Sequence, residues 1–109
     1  MHSLSYELRP LRTIQKSFYG KAHVSFLRED NGDEFYELLS YETHVLSVYV
    51  PHGCPVYAKK LWCGYSATTL RHVNELLMQL DFPKLTAKEW RAMEVGKFYH
   101  TDEIPALFV

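Results

Sequence analysis

At 109 residues the chain has room for one hydrophobic core and little to spare for a deep substrate cavity. Its 47% hydrophobic and 15% aromatic content is too rich for global disorder, and its formal net charge of −1 argues against a generic basic surface for nucleic acid. No apolar run reaches bilayer-spanning length, and Met1–Glu7 lacks the basic-then-apolar order of an export signal, so the expectation is a single cytoplasmic domain with Cys54 and Cys63 reduced.

Residues 1–17 are polar, basic and interrupted by Pro10, and read as an extended arm or a first edge strand. Up to Arg28 the bases Arg9, Arg12, Lys16, Lys21 and Arg28 stand against Glu7 alone; residues 29–42 then hold only acids. Asn31-Gly32 lies between two alternating segments, 20–28 and 34–42. That dipeptide is the strongest short-range hairpin signal, because a type I′ turn needs positive φ at both central residues. A two-residue loop there sets Val24 opposite Leu39, Ala22 opposite Tyr41 and Lys21 opposite Glu42. Phe26 opposite Glu37 fits that register less well.

His44–Val50 is β-branched and aromatic, and predicts a third strand. Pro51–Pro55 is a turn by composition. Val56–Trp62 returns as a fourth strand, where Lys59 and Lys60 would suit a guarded sheet edge. Gly64–Ala67 reads as a loop and about Leu70–Asp81 as a helix, with Thr68 or Thr69 as N-cap. Leu70, Val73, Leu77 and Leu80 share one helical face, with Leu76 at its border. Arg71, Glu75 and Gln79 share the other, with Arg71 and Glu75 at ion-pair spacing. Pro83 stops this helix. Thr86-Ala87-Lys88-Glu89 is a capping box that opens a shorter helix, with Trp90 and Met93 on its buried side and Gly96 as its stop. The tail, residues 98–109, ends in the apolar run Ile104–Val109 and should pack on the sheet or meet a partner. Together these elements predict an α+β domain over residues 1–109: an antiparallel sheet of four to five strands, one main helix on a face and a second short helix.

Few residues carry candidate chemistry. His52, Cys54, Cys63 and His72 are zinc-ligand types, but their spacing matches no standard zinc module. Cys63 with His72 or His44 lacks an orienting acid, and Ser66 lacks a nucleophile elbow. Thr43, Ser66, Thr68, Thr69 and His72 instead suggest a structural polar network around the helix cap, with a neutral His72 bonding a loop carbonyl and pinning Gly64–Ala67. Tyr57, Lys59, Lys60, Trp62 and Arg71 interleave rings with cations, as single-strand nucleic-acid binding requires. The acidic hairpin offers Glu29, Asp30, Asp33, Glu34 and Glu37, with Tyr36 between them, as a surface complementary to a basic partner. Eight tyrosines exceed what one small core absorbs, because each phenol wants a polar partner. The surplus favours a protein-binding surface.

Two separated motifs carry a family resemblance: Ser40-Tyr41-Glu42-Thr43 and Tyr65-Ser66-Ala67-Thr68-Thr69-Leu70-Arg71-His72. Read as Ser-Tyr-x-Thr followed by Tyr-Ser-x-Thr-Thr-x-x-His, the pattern resembles small uncharacterised domains from bacteriophages and mobile elements of Firmicutes and gut bacteria. The resemblance covers the middle third of the chain. It implies a compact α+β domain acting in the cytoplasm of a bacterial host. Small phage proteins are often inhibitors of host proteins, anti-CRISPR proteins among them. The expected function is therefore a non-enzymatic inhibitor that binds a host defence nuclease as a monomer or homodimer, with no cofactor, metal or membrane. The alternative is a single-stranded nucleic-acid-binding or regulatory module.

Overall fold

The computed structural model describes residues 2–9, 20–52 and 56–100. Six strands follow one another in space as in sequence: β1 (His2–Glu7), β2 (Ala22–Arg28), β3 (Glu34–Ser40), β4 (Thr43–Val50), β5 (Tyr57–Lys60) and β6 (Phe98–His100). Every pairing is antiparallel. Helices α1 (Ala67–Gln79) and α2 (Ala87–Ala92) interrupt the meander between β5 and β6. Among the described residues the fold is α+β with two helices, as the patterning predicts, but the sheet there has six strands rather than four to five.

Residues 2–7 form the edge strand β1, the second of the two readings of the N-terminal segment, and the unforeseen strand is β6, formed by residues 98–100 of the expected tail. The remainder of the arm, 10–17, the turn residues 53–55 and the tail residues 101–109 lie outside the described residues. Because β6 pairs with β5, Lys59 and Lys60 sit on an inner strand and guard no edge.

The β2–β3 hairpin forms where Asn-Gly predicts it, one residue out of the expected register. Val24 faces Leu38, and Phe26 faces Tyr36. The Gly32 amide donates to the Glu29 carbonyl, Glu29 donates to the Asp33 carbonyl, and Gly32 alone has positive φ (95°). This is a three-residue loop, a tight turn closed by a left-handed glycine, rather than a two-residue one. The slip exchanges the faces of β3, which removes the awkward Phe26–Glu37 pairing.

One sheet face carries Ala22, Val24, Leu38, Leu46, Val48, Ala58 and Tyr99, all buried, under Val73, Leu76 and Leu77 of α1 and Trp90 of α2. The α1 stripe is wider than periodicity suggests. Leu76 lies at its centre, and Glu75 is only 8% exposed because its carboxylate accepts from Gln79 Nε2 (2.7 Å). Ser66, rather than Thr68 or Thr69, caps the helix, accepting from the Thr69 amide (3.0 Å). The far end is a Schellman closure. Asp81 takes φ 61°, Asp81 N donates to Met78 O, and Phe82 N donates to Leu77 O (2.8 Å), which buries Phe82 against Leu77. The Thr86–Glu89 capping box of α2 is present in full. Gly96 does not stop that helix; its amide donates to Lys60 O in the turn that leads into β6. No helix among the described residues is long and apolar enough to cross a membrane.

Candidate functional site

The opposite sheet face has no helix over it among the described elements. Strand alternation and the observed register place Leu27, Phe35, Tyr49, Tyr57 and His100 in one row across β2, β3, β4, β5 and β6. Phe35 and Tyr49 stack at 4.9 Å with planes 18° apart, and Tyr49 and Tyr57 stack at 6.2 Å. His100 tilts against Tyr57 at 5.4 Å. Phe98 meets Tyr49 edge-on at 6.3 Å, and Lys59 Nζ lies 4.6 Å from the Phe98 ring centre. Rings lying flat side by side could not approach to 4.9 Å. Phe35 and Tyr49 therefore stand on the sheet and shield each other's faces, so they present edges outward. The row is a ridge. Beside it, a shallow cleft of about 380 Å³ runs over the small side chains Ser3, Ser5 and Ser25, between Leu27, Phe35 and Glu37.

Most of the acidic hairpin is engaged internally. Asp33 accepts from the His52 amide (2.9 Å) and the Tyr49 hydroxyl (3.2 Å), which latches the hairpin to the end of β4. The His52 backbone bond, with help from Tyr49 and Asn31, holds the Asp33 carboxyl below the usual carboxylate range. Glu34 accepts from Arg28 Nε (2.9 Å) and from the Tyr36 hydroxyl (3.3 Å). Burial, then the adjacent Glu34 carboxylate, pushes Tyr36 up to about 12. Tyr36 points to the helix side and packs against the core. Glu37 lies 3.0 Å from His44 Nδ1. Glu29 and Asp30 remain exposed at the hairpin tip.

The expected nucleic-acid set divides between surfaces. Tyr57 and Lys59 share the open face. Lys60 points the other way and is buried, with Nζ donating to Trp90 O (2.8 Å) at the C-terminal end of α2. Burial lowers its pKa, while the helix-end carbonyls favour its charge. Trp62 packs against the core, and Arg71 is exposed on α1. Sequence reasoning missed Phe35, Phe98 and His100 as members of the ridge. The alternation of Phe35 and Glu37 was a usable signal, but it needed the correct hairpin register.

The two motifs meet on the helix side. Ser40-Tyr41-Glu42-Thr43 makes the β3–β4 turn, with Tyr41 (φ 49°) and Glu42 (φ 70°) both left-handed. Ser40 Oγ hydrogen bonds with His72 Nδ1 (2.8 Å) and Thr69 Oγ1 (3.1 Å), all three residues being buried. Tyr41 covers this cluster, its ring 5.7 Å from that of His72. Of the expected network only Thr69 and His72 come together, joined through Ser40, which was not among its expected members; Ser66 caps the helix beside them, and Thr43 is exposed. His72 is fully buried. The Gly64 carbonyl accepts from Trp90 Nε1 (3.0 Å), so the tryptophan holds the loop that His72 was expected to pin. Gly64 allows the loop to pass over Trp62, where a Cβ would meet the indole at 2.4 Å. Cys63 is exposed and free, Cys54 lies outside the described residues, and among the described residues no group of three His, Cys, Asp or Glu side chains could hold a metal.

The model of a family of unknown function, DUF8033, matches residues 6–92. The chain belongs to this family. The match extends well beyond the middle third that the two motifs mark, from Tyr6 in β1 to Ala92 at the end of α2. No curated protein and no solved structure matches the chain. The DUF8033 region thus includes the Ser40–Thr69–His72 cluster, and the ridge as far as Tyr57, but not Phe98 or His100 of β6.

Proposed function

We propose that this DUF8033 chain is a non-enzymatic protein-binding module that meets its partner through the open sheet face. The observation that carries this reading is the Phe35–Tyr49–Tyr57 ridge beside the serine-floored cleft. Aromatic edges with phenolic hydroxyls suit a protein contact, since they offer apolar area and a hydrogen-bonding handle at low entropy cost. The hairpin carboxylates are a weaker candidate, because Asp33, Glu34 and Glu37 already have intramolecular partners. The resemblance to phage and mobile-element domains makes a host defence nuclease the partner to test first. Inhibition would then come from occlusion of a working surface on that protein.

The test compares two variants in capture from host lysate followed by mass spectrometry. One is Phe35→Ser with Tyr57→Ser; the other is Glu29→Gln with Asp30→Asn. The expected result is a captured protein lost with the first variant and kept with the second. Loss with the hairpin variant alone overturns the reading and returns binding to the acidic tip.

Single-strand nucleic-acid binding is the second reading, favoured by Lys59 against Phe98 beside Tyr57 on the same face. It requires ring faces for stacking, and the stacked ridge offers mainly edges. Oligonucleotide binding that weakens with salt and disappears on Tyr57→Ser would establish it over the protein reading.

A further inference from the structure

Among the described residues the sheet ends at β1, a six-residue strand paired there on one side only. Natural edges of this length are usually guarded by lysine, proline or a bulge. Ser3-Leu4-Ser5-Tyr6 has none of these, and its register with β2 is unbroken. Leu4 and Tyr6 are 43% and 36% exposed. They lie on the helix side, next to Phe26 and Tyr36.

The backbone phase is fixed by Leu8 N, which donates to Ala22 O (2.8 Å). Amides and carbonyls alternate along a strand, so Tyr6 and Leu4 also face β2, while Ser3, Ser5 and Glu7 turn theirs to the outer edge. We propose that this edge pairs antiparallel with the same edge of a second copy, about a two-fold axis at Ser5. Ser5 then faces Ser5 of the copy, and Ser3 faces Glu7, each as a hydrogen-bonded pair. Leu4 faces Tyr6 in the closer, non-bonded positions, where cross-strand side chains touch most. Leucine on tyrosine covers both exposed side chains, and no like charges oppose each other. That self-complementarity is what a two-fold interface demands, and it selects a second copy as the occupant. The two serine-floored clefts would adjoin across the axis. The inference does not depend on the open face having a partner.

Sedimentation of the full chain over a concentration series tests the pairing. The expected result is a mass rising toward twice that of the chain, with a melting temperature that rises with concentration. Ser5→Pro removes an amide that points away from β2, so it blocks the copy while sparing the β1–β2 ladder. Leu4→Lys places a charge at the edge without touching the backbone. Both variants should be monomeric where the unaltered chain is dimeric; a dimer persisting in either overturns the proposal. Register is read by Ser5→Cys in a Cys54→Ser, Cys63→Ser background. Paired bonded positions lie within disulfide reach, so mild oxidation should give a covalent dimer, and its absence overturns the Ser5 axis. A chain that stays monomeric but loses a captured protein on Ser5→Pro assigns the edge to a partner's strand and also overturns the pairing of copies.

Discussion

The core beneath the helices and the open face of the sheet use aromatic side chains in opposite ways. On the helix side, Trp90 and Tyr99 are buried as single anchors, each with its polar atom satisfied: Trp90 Nε1 by Gly64 O, and the Tyr99 hydroxyl by the Glu94 amide. On the open side, Phe35, Tyr49 and Tyr57 touch mainly one another. The first arrangement excludes water and fixes the helices. The second builds a surface whose removal should leave the fold standing. The contrast teaches that the aromatic richness of this chain splits into a structural half and a surface half, which composition alone does not separate.

Substitutions can break that contrast, the largest effect first. Trp90→Ala should cost about 4 kcal/mol in denaturant unfolding, since it opens a cavity and removes the donor to Gly64 O. If it costs no more than a ridge substitution, the two faces are not different in kind. Ser40→Ala takes one partner each from buried His72 and Thr69, and should cost about 2 kcal/mol; Ser40→Thr, which keeps the hydroxyl, should recover part of this. A Phe35→Ala, Tyr49→Ala double-mutant cycle should give a coupling of about 1 kcal/mol, near the usual worth of an aromatic pair. Asp33 gives the smallest effect, confined to acid. Its folded pKa is lowered by the His52 amide first, so its contribution is present above an ordinary aspartate pKa of about 3.9 and is lost as pH falls through the lower folded value. Melting curves between neutral and strongly acid pH should show that limb in the unaltered protein and not in Asp33→Asn.

The local grammar of this chain was legible. Thr86 and Glu89 spelled out a capping box, Asn31-Gly32 marked a hairpin, and leucines at helical spacing marked α1. What escaped were features decided by neighbours distant in sequence. Lys60 resembled an edge guard, because nothing near it in sequence reveals that its ammonium will meet carbonyls of α2 thirty residues on. Three residues were enough for β6 because β5 offered a ready edge, so its pattern was too short to announce itself. The hairpin register turned on whether Asn31 and Gly32 both adopt positive φ or Gly32 alone does, and that single dihedral moved Phe35 onto the ridge. For the candidate site, Tyr57 and Lys59 were named and do share the open face, but their aromatic company became visible only through the pairing of strands.

The strict sequence order of the strands bears on how the chain acquires its structure. From β1 to β5 each strand finds its partner in its immediate predecessor, so zipping can follow synthesis from the ribosome, with one longer connection between β1 and β2 and short ones after it. The β5–β6 contact is different, because α1 and α2 lie between its two strands in sequence. Of the strand pairings it spans the longest stretch of chain, and it sets Phe98 and His100 beside the ridge; truncation before residue 98 should leave a chain that keeps β1 to β5 yet lacks one end of its surface.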